Sequence, residues 1–214
     1  AAIDSFTISG SVFIPVGIYL VNTIYLKAGT DNQVDIIGES KKGTILQSAS
    51  QNTTILEPDL TGGIIQGVTI SNFQLRAHAL GSTGTAFLVT YMRACAIEHI
   101  DLMSNGTGQF ATGFDIGGGG AGYGATYGID FRHIHIDGIK TPPVCFLFSN
   151  HGAGASANAN RCSISNLWYN ECTNTTAVID AQNSANLVIQ DSIFENCATA
   201  TGVISGNTTY IKGN

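Results

Sequence analysis

Acid–base cleavage of a glycosidic bond takes two carboxyl groups, roughly 5 to 9.5 Å apart according to its stereochemical course. The aspartates are therefore the leading candidates for chemistry. Asp115 occupies a position that equivalent stretches of the chain fill with Leu88, Ile179 and Ile204, and it leads directly into the glycine-rich run 117–128. Asp180 belongs to the same strand series two repeats on, about 9.6 Å away at the usual strand spacing, which suits an inverting pair. A second group, Asp101, His135 and Trp168, has the ingredients of a sugar subsite. An indole stacks on a pyranose face, while carboxylate and imidazole bond hydroxyls. The competing reading is structural: Trp168 packs beneath a loop, His135 pairs with Asp101, and apolar Ile193 closes the column. Gly117, Tyr123 and Tyr127 join the carbohydrate candidates because their small-residue run permits a ligand to approach the backbone. A lyase would need a base and a cation against a uronate. Arg132 has the right type, but Glu98 in the preceding repeat is its ordinary ion-pair partner. No Asp cluster is spaced for calcium and no Cys/His set for zinc, so neither metal nor cofactor is expected.

These positions have meaning only because the chain repeats itself. Residues 68–75, 95–102, 129–136, 162–169 and 187–194 follow one template, apolar at the first, third and last positions and polar at the fifth. The fifth column reads Asn72, His99, His133, Asn166, Asp191, with Gly38 of a weaker first copy ahead of it. Steps of 34, 27, 34, 33 and 25 residues separate its members. A period of this length marks a solenoid, whose repeats cover one another's cores. Alternation on both sides of the polar residue means two short strands, each with one face inside. One residue must turn the chain between them, and Asn, Asp, His and Gly tolerate the left-handed conformation that does so. Strands that meet at such a bend cannot form a hairpin, so each pairs with its equivalent in the next repeat. A single-stranded parallel β-helix follows. The bend histidines His99 and His133 resemble a metal pair, but Asn and Asp hold the same slot, and turn-forming explains all of them.

A third strand per rung is supplied by a second phrase, a Thr-small-apolar opening at Thr85, Thr112, Thr176 and Thr201, with 143–148 in the remaining turn. Each rung thus reads strand, loop, strand, bend, strand, loop. The loops at 117–128 and 149–161 are long and consecutive, so they are expected side by side as one rim. Cys95 and Cys162 fall at the inward first position and belong to the core, while Cys172 and Cys197 share one column on adjacent rungs as free thiols.

Composition narrows the classes. Only 11% of the 214 residues are charged and 26 are glycine, which disfavours helices and suits one domain over 1–214. A net charge of −6 argues against nucleic acid as a partner. Pro15 and Gly17 interrupt the best apolar run, so membrane insertion is not expected. No leader peptide or initiating Met is visible, and the chain stops within a turn at 210–213, as a fragment of a longer β-helix would.

The opening turn carries a resemblance. Phe13-Ile14-Pro15-Val16-Gly17-Ile18-Tyr19, then Ile36-Ile37-Gly38, then Thr44-Ile45, is similar to the first turn of the pectate-lyase-like β-helix superfamily, in its bacteriophage tailspike and tail-fibre branch. That branch's Asp-Asp-Thr phrase, normally upstream of Ala2-Ile3, is absent. The resemblance implies a right-handed coil of about six to seven rungs, a homotrimer with other virion proteins as partners, and a virion-tail or extracellular location. It implies recognition of a bacterial surface polysaccharide, with or without depolymerisation. A secreted polysaccharide lyase or glycoside hydrolase, and a non-catalytic virion shaft, are the alternatives within the same superfamily.

Overall fold

The computed structural model describes residues 10–27, 33–59, 63–80, 84–118, 126–137, 144–150, 159–175, 177–199, 204–206 and 209–212. Among these every regular element is a β-strand, and every strand pair is parallel. One thirteen-stranded sheet carries the repeated template and one seven-stranded sheet carries the Thr-opening phrase. The chain visits the two in alternation, an arrangement consistent with a parallel β-helix.

Register shows why the template repeats. Ile36, Ile70, Ile97, Phe131, Ile164 and Ile189 pair in succession, and so do Leu46, Leu75, Leu102, Ile136 and Tyr169 with its partner Phe194. Each column stacks apolar side chains inward, and one core cluster runs from Leu26 to Ile189. At its centre Phe114 stacks on Phe146 at 4.9 Å and meets Phe131 edge-on at 5.3 Å. Cys95 and Cys162 are buried free thiols, as their inward position requires. Burial pushes the Cys162 thiol up to about 11, so it behaves as a small apolar side chain rather than a nucleophile. Cys172 pairs in register with Cys197, which places the two on adjacent strands as the repeat demands.

All five polar residues of the bend column are left-handed, with φ of 64° at Asn72, 54° at His99, 53° at His133, 52° at Asn166 and 50° at Asp191. The ladder continues around the corner: His133 N–H donates to Ser165 O at 3.1 Å, and Asn166 N–H to Gln190 O at 3.3 Å. The imidazoles of His99 and His133 stack face to face, 4.6 Å apart and 9° from parallel. That geometry stacks the rings instead of converging their nitrogens on one point. Gly38 differs from the expectation. It shares the column by register but is not left-handed, and the chain turns through 39–43 instead. A Cβ on Gly38 would lie 2.1 Å from the Asn72 carbonyl oxygen, so close backbone approach explains the glycine.

Each repeat also has a second bend, which the template does not announce. Gly67, Ala94, Gly128, Arg161 and Asn186, five residues before the first set, have φ of 67°, 49°, 64°, 52° and 59°. Just ahead of them the supposed loop contains a narrow ladder: Ile65–Gln66 pairs with Met92–Arg93, Tyr127 bridges Arg93 and Asn160, and Ala159–Asn160 pairs with Ser184–Ala185. Bend amides join it, Ala94 N–H donating to Tyr127 O and Gly128 N–H to Asn160 O, both at 2.9 Å. The rim at 117–128 and 149–161 is therefore shorter than the sequence indicates. Gly117 and Gly118 end a strand, Thr126 is buried, and residues 119–125, Tyr123 among them, lie outside the described residues, as do 151–158.

Candidate functional site

The outer face after the bend presents Gln74, Asp101, His135, Trp168 and Ile193 in the expected order on successive strands. Their exposure is not uniform. Trp168 is 49% exposed and Ile193 54%, whereas Asp101 is only 2% exposed. The expectation of an exposed carboxylate is thus corrected. Lys41, carried by the 39–43 turn of an earlier repeat, reaches across the face, and its ammonium lies 2.8 Å from Asp101 Oδ1. Lys41 also donates to the His133 carbonyl at 3.4 Å. The turn that bears it is fixed locally: Thr44 N–H donates to Ser40 O at 2.9 Å, and Val16 N–H to the Glu39 carboxylate at 3.0 Å.

His135 Nδ1 lies 3.4 Å from the same Asp101 oxygen, and the His135 ring lies 4.7 Å from that of Trp168, tilted by 34°. One of the two structural contacts that competed with the sugar reading is therefore present: His135 does pair with Asp101. Trp168, however, is not buried under a loop. A carboxylate shared between an ammonium and an imidazole orients the imidazole, and the imidazole supports one side of the indole. The arrangement supplies a fixed, half-open aromatic surface flanked by polar groups rather than an accessible acid. Nearby, Arg76 donates to Gln74 Oε1 through Nη2 at 2.7 Å, which removes that amide oxygen from competition.

Asp115 and Asp180 do share a column of the seven-stranded sheet, with Leu147 between them. The residue-by-residue alignment shifts by one from the expectation. Asp115 stacks with Leu88, Leu147 and Asp180, and it is Phe114 that stacks with Phe146 and Ile179. Inward packing decides this, since Ile179 is fully buried and must face the core with the phenylalanines. Ser149 Oγ donates to Asp115 Oδ1, and the Gln182 amide donates to Asp180 Oδ1 at 3.3 Å. Arg132 lies 3.8 Å from Glu98, the cross-strand pairing expected of it, and 3.7 Å from Asp130 on its own strand. No group of three or more His, Cys, Asp or Glu placed to hold a metal occurs among the described residues.

The residues that sequence reasoning missed, Gln66, Arg93, Ala94 and Arg161, lie on the narrow ladder beside Tyr127, which it had named. Gln66, Arg93, Ala94 and Tyr127 line a cleft of about 440 Å³. Arg161 places its guanidinium 5.3 Å from the centre of the Tyr127 ring. The signal was the recurrence of left-handed-tolerant residues five positions before the bend column, interrupted by Ala94 and Arg161.

No family model matches the chain, and no curated protein sequence matches it. Among solved structures it is similar to a chain described as Geobacillus virus E2 - ORF18, at a TM-score of 0.42 and 14% identity. The likeness covers 97% of this chain and 36% of that one, so this chain spans about a third of that protein. It is too loose to carry an argument about function.

Proposed function

We propose that this chain is a module of a bacteriophage tailspike or tail fibre that recognises a bacterial surface polysaccharide. The Asp101–His135–Trp168 face is its contact surface. One observation carries the reading: an indole that is 49% exposed on a sheet face, with a partly buried His135 beside it and the buried Asp101 carboxylate behind that. An unsupported tryptophan would cost apolar exposure and ordering; a braced one meets a pyranose face with little left to order. The opening-turn phrase and the stacked parallel ladders support the tailspike branch. The coil is right-handed, as strand twist and crossover preference favour, with six to seven rungs in one domain. It assembles as a homotrimer in the virion tail. Sedimentation equilibrium should return three times the chain mass, and a monomer at high concentration would remove that element.

Trp168 is the chain's single tryptophan, so its fluorescence reports directly on the surface. Titration with oligosaccharides cut from capsular and O-antigen polysaccharides should shift the emission, and Trp168→Ala should weaken binding about tenfold or more, as loss of an aromatic anchor does. Unchanged glycan affinity in Trp168→Ala, or no glycan bound at all, would reject the reading and leave a structural shaft. Hydrolysis is a second reading, favoured by the shared column of Asp115 and Asp180. It adds shortening of the glycan chains in the same mixtures, abolished by Asp115→Asn.

A further inference from the structure

We infer that the narrow ladder holds a second saccharide subsite, separate from the Trp168 face and selective for a sugar that bears an oxyanion. This rests on the glycan-binding reading above but on different residues. Register sets Gln66, Arg93, Tyr127 and Asn160 on four successive strands, spanning about 14 Å at the usual spacing. Arg161 follows Asn160 at the bend and lies against the Tyr127 ring, which is 37% exposed. One guanidinium thus lies against an accessible aromatic ring, and Arg93, in register with Tyr127, lines the same cleft.

Their pairing is what points to a ligand. The chain has only 9 Lys and Arg against 15 Asp and Glu. Lys41 finds a carboxylate at Asp101 and Arg132 at Glu98 and Asp130, while Arg76 is held by the Gln74 amide oxygen. Arg93 and Arg161 form no ion pair among the described residues, in spite of that acidic excess. A guanidinium presents a planar fork of donors that matches carboxylate, sulfate and phosphate oxygens. An open aromatic ring beside it accepts the apolar face of a sugar.

The bend keeps the cleft open. Ala94 holds a φ of 49°, where glycine is the usual choice, and contributes a single methyl. At Gly128 an added Cβ would meet nothing closer than 3.8 Å. The resulting volume, about 440 Å³, falls in the range of small-ligand pockets. Nucleic acid offers the same phosphate chemistry but is disfavoured. Polymer binding of that kind takes a row of some six to ten neutralised phosphates, and the net charge of −6 opposes it.

The test is a titration panel on the intact protein: a glucuronate-containing capsular oligosaccharide, a sialate-containing one, each in its carboxyl-reduced form, a sulfated one, and single-stranded DNA. Binding of at least one acidic probe is expected, with about a tenfold loss on carboxyl reduction if the oxyanion is a carboxylate. Arg93→Gln and Arg161→Gln should each weaken that probe about tenfold, with circular dichroism unchanged, and raise its sensitivity to salt no further. Trp168→Ala should leave the ratio of acidic to carboxyl-reduced affinity unaltered, whatever it does to the affinity itself. Preference for the sulfated probe would assign the oxyanion to sulfate and still support the subsite. The inference is overturned if no acidic probe binds, if reduced and acidic forms bind equally with the arginine variants silent, or if DNA binds best. Loss in the arginine variants with Trp168→Ala silent for every glycan would uphold this site and reject the Trp168 face; the converse pattern would do the opposite.

Discussion

Replacing Gly38 with alanine is expected to destabilise the protein by about 3 kcal/mol or more, the upper end of what overpacking costs. The new methyl would sit 2.1 Å from the Asn72 carbonyl oxygen, 2.9 Å from the Asn72 carbonyl carbon and 3.1 Å from Phe73 Cβ. Two of these atoms are backbone, so no side-chain rotation relieves the contact. Relief requires separating strand 34–38 from strand 69–76, whose pairing includes Ile36 with Ile70 and Ile37 with Ser71. The same movement would draw the 39–43 turn, and Lys41 with it, away from Asp101. Gly106→Ala is the control. Nothing lies within 4 Å of its Cβ position, but its φ is 60°, so the cost should be about 1 to 2 kcal/mol from backbone conformation alone. Urea unfolding of the two variants compares them directly. A Gly38→Ala cost no greater than that of Gly106→Ala would show that the first two repeats do not approach as described.

Phe114→Ala carries the other large effect, about 3 to 5 kcal/mol, because truncating a buried phenylalanine loses its transfer energy and leaves a cavity. Phe114 is fully buried and sits within 5.3 Å of both Phe131 and Phe146, ring centre to ring centre, with Phe87 at 6.2 Å. Those rings belong to neighbouring strands on either side and to the opposite sheet. The core cannot collapse into the space without shifting the parallel ladders that hold them. In a solenoid each repeat touches only its neighbours, so the loss falls on the middle of the stack. Phe114→Leu keeps most of the volume and should cost less than about 1.5 kcal/mol. Equal costs for the two variants, read from denaturant midpoints, would mean that the aromatic cluster does not anchor the core.

The repeated template was legible because two local rules agree at each copy. Period-two alternation sets which side chains face inward, and a left-handed residue sets where the strand turns. Those rules yielded the column of Gln74, Asp101, His135, Trp168 and Ile193 in its observed order, and the pairing of Cys172 with Cys197. The second sheet was less legible. Its Thr-opening phrase aligns Asp115 with Ile179, but the phrase has no bend residue to mark its phase. Packing of Ile179 under Phe146 places Asp180 there instead. The narrow ladder escaped notice for a related reason: two-residue strands carry no alternation, and Ala94 and Arg161 disguise the left-handed positions.

Sequence alone therefore determined the parallel stacking, the inward columns and the polar bend, since each depends on residues adjacent along the chain. Tertiary structure decided what happens across repeats. Lys41 lies 60 residues from Asp101 in sequence, yet its ammonium is 2.8 Å from that carboxylate and turns an apparent surface acid into a buried brace for His135. Likewise Arg93 and Arg161 acquire Tyr127 as a shared neighbour only when the ladder stacks. The physical reason is the uneven repeat length. Steps of 25 to 34 residues leave the extra residues of each turn free to fold over any neighbouring face, and only packing selects which one.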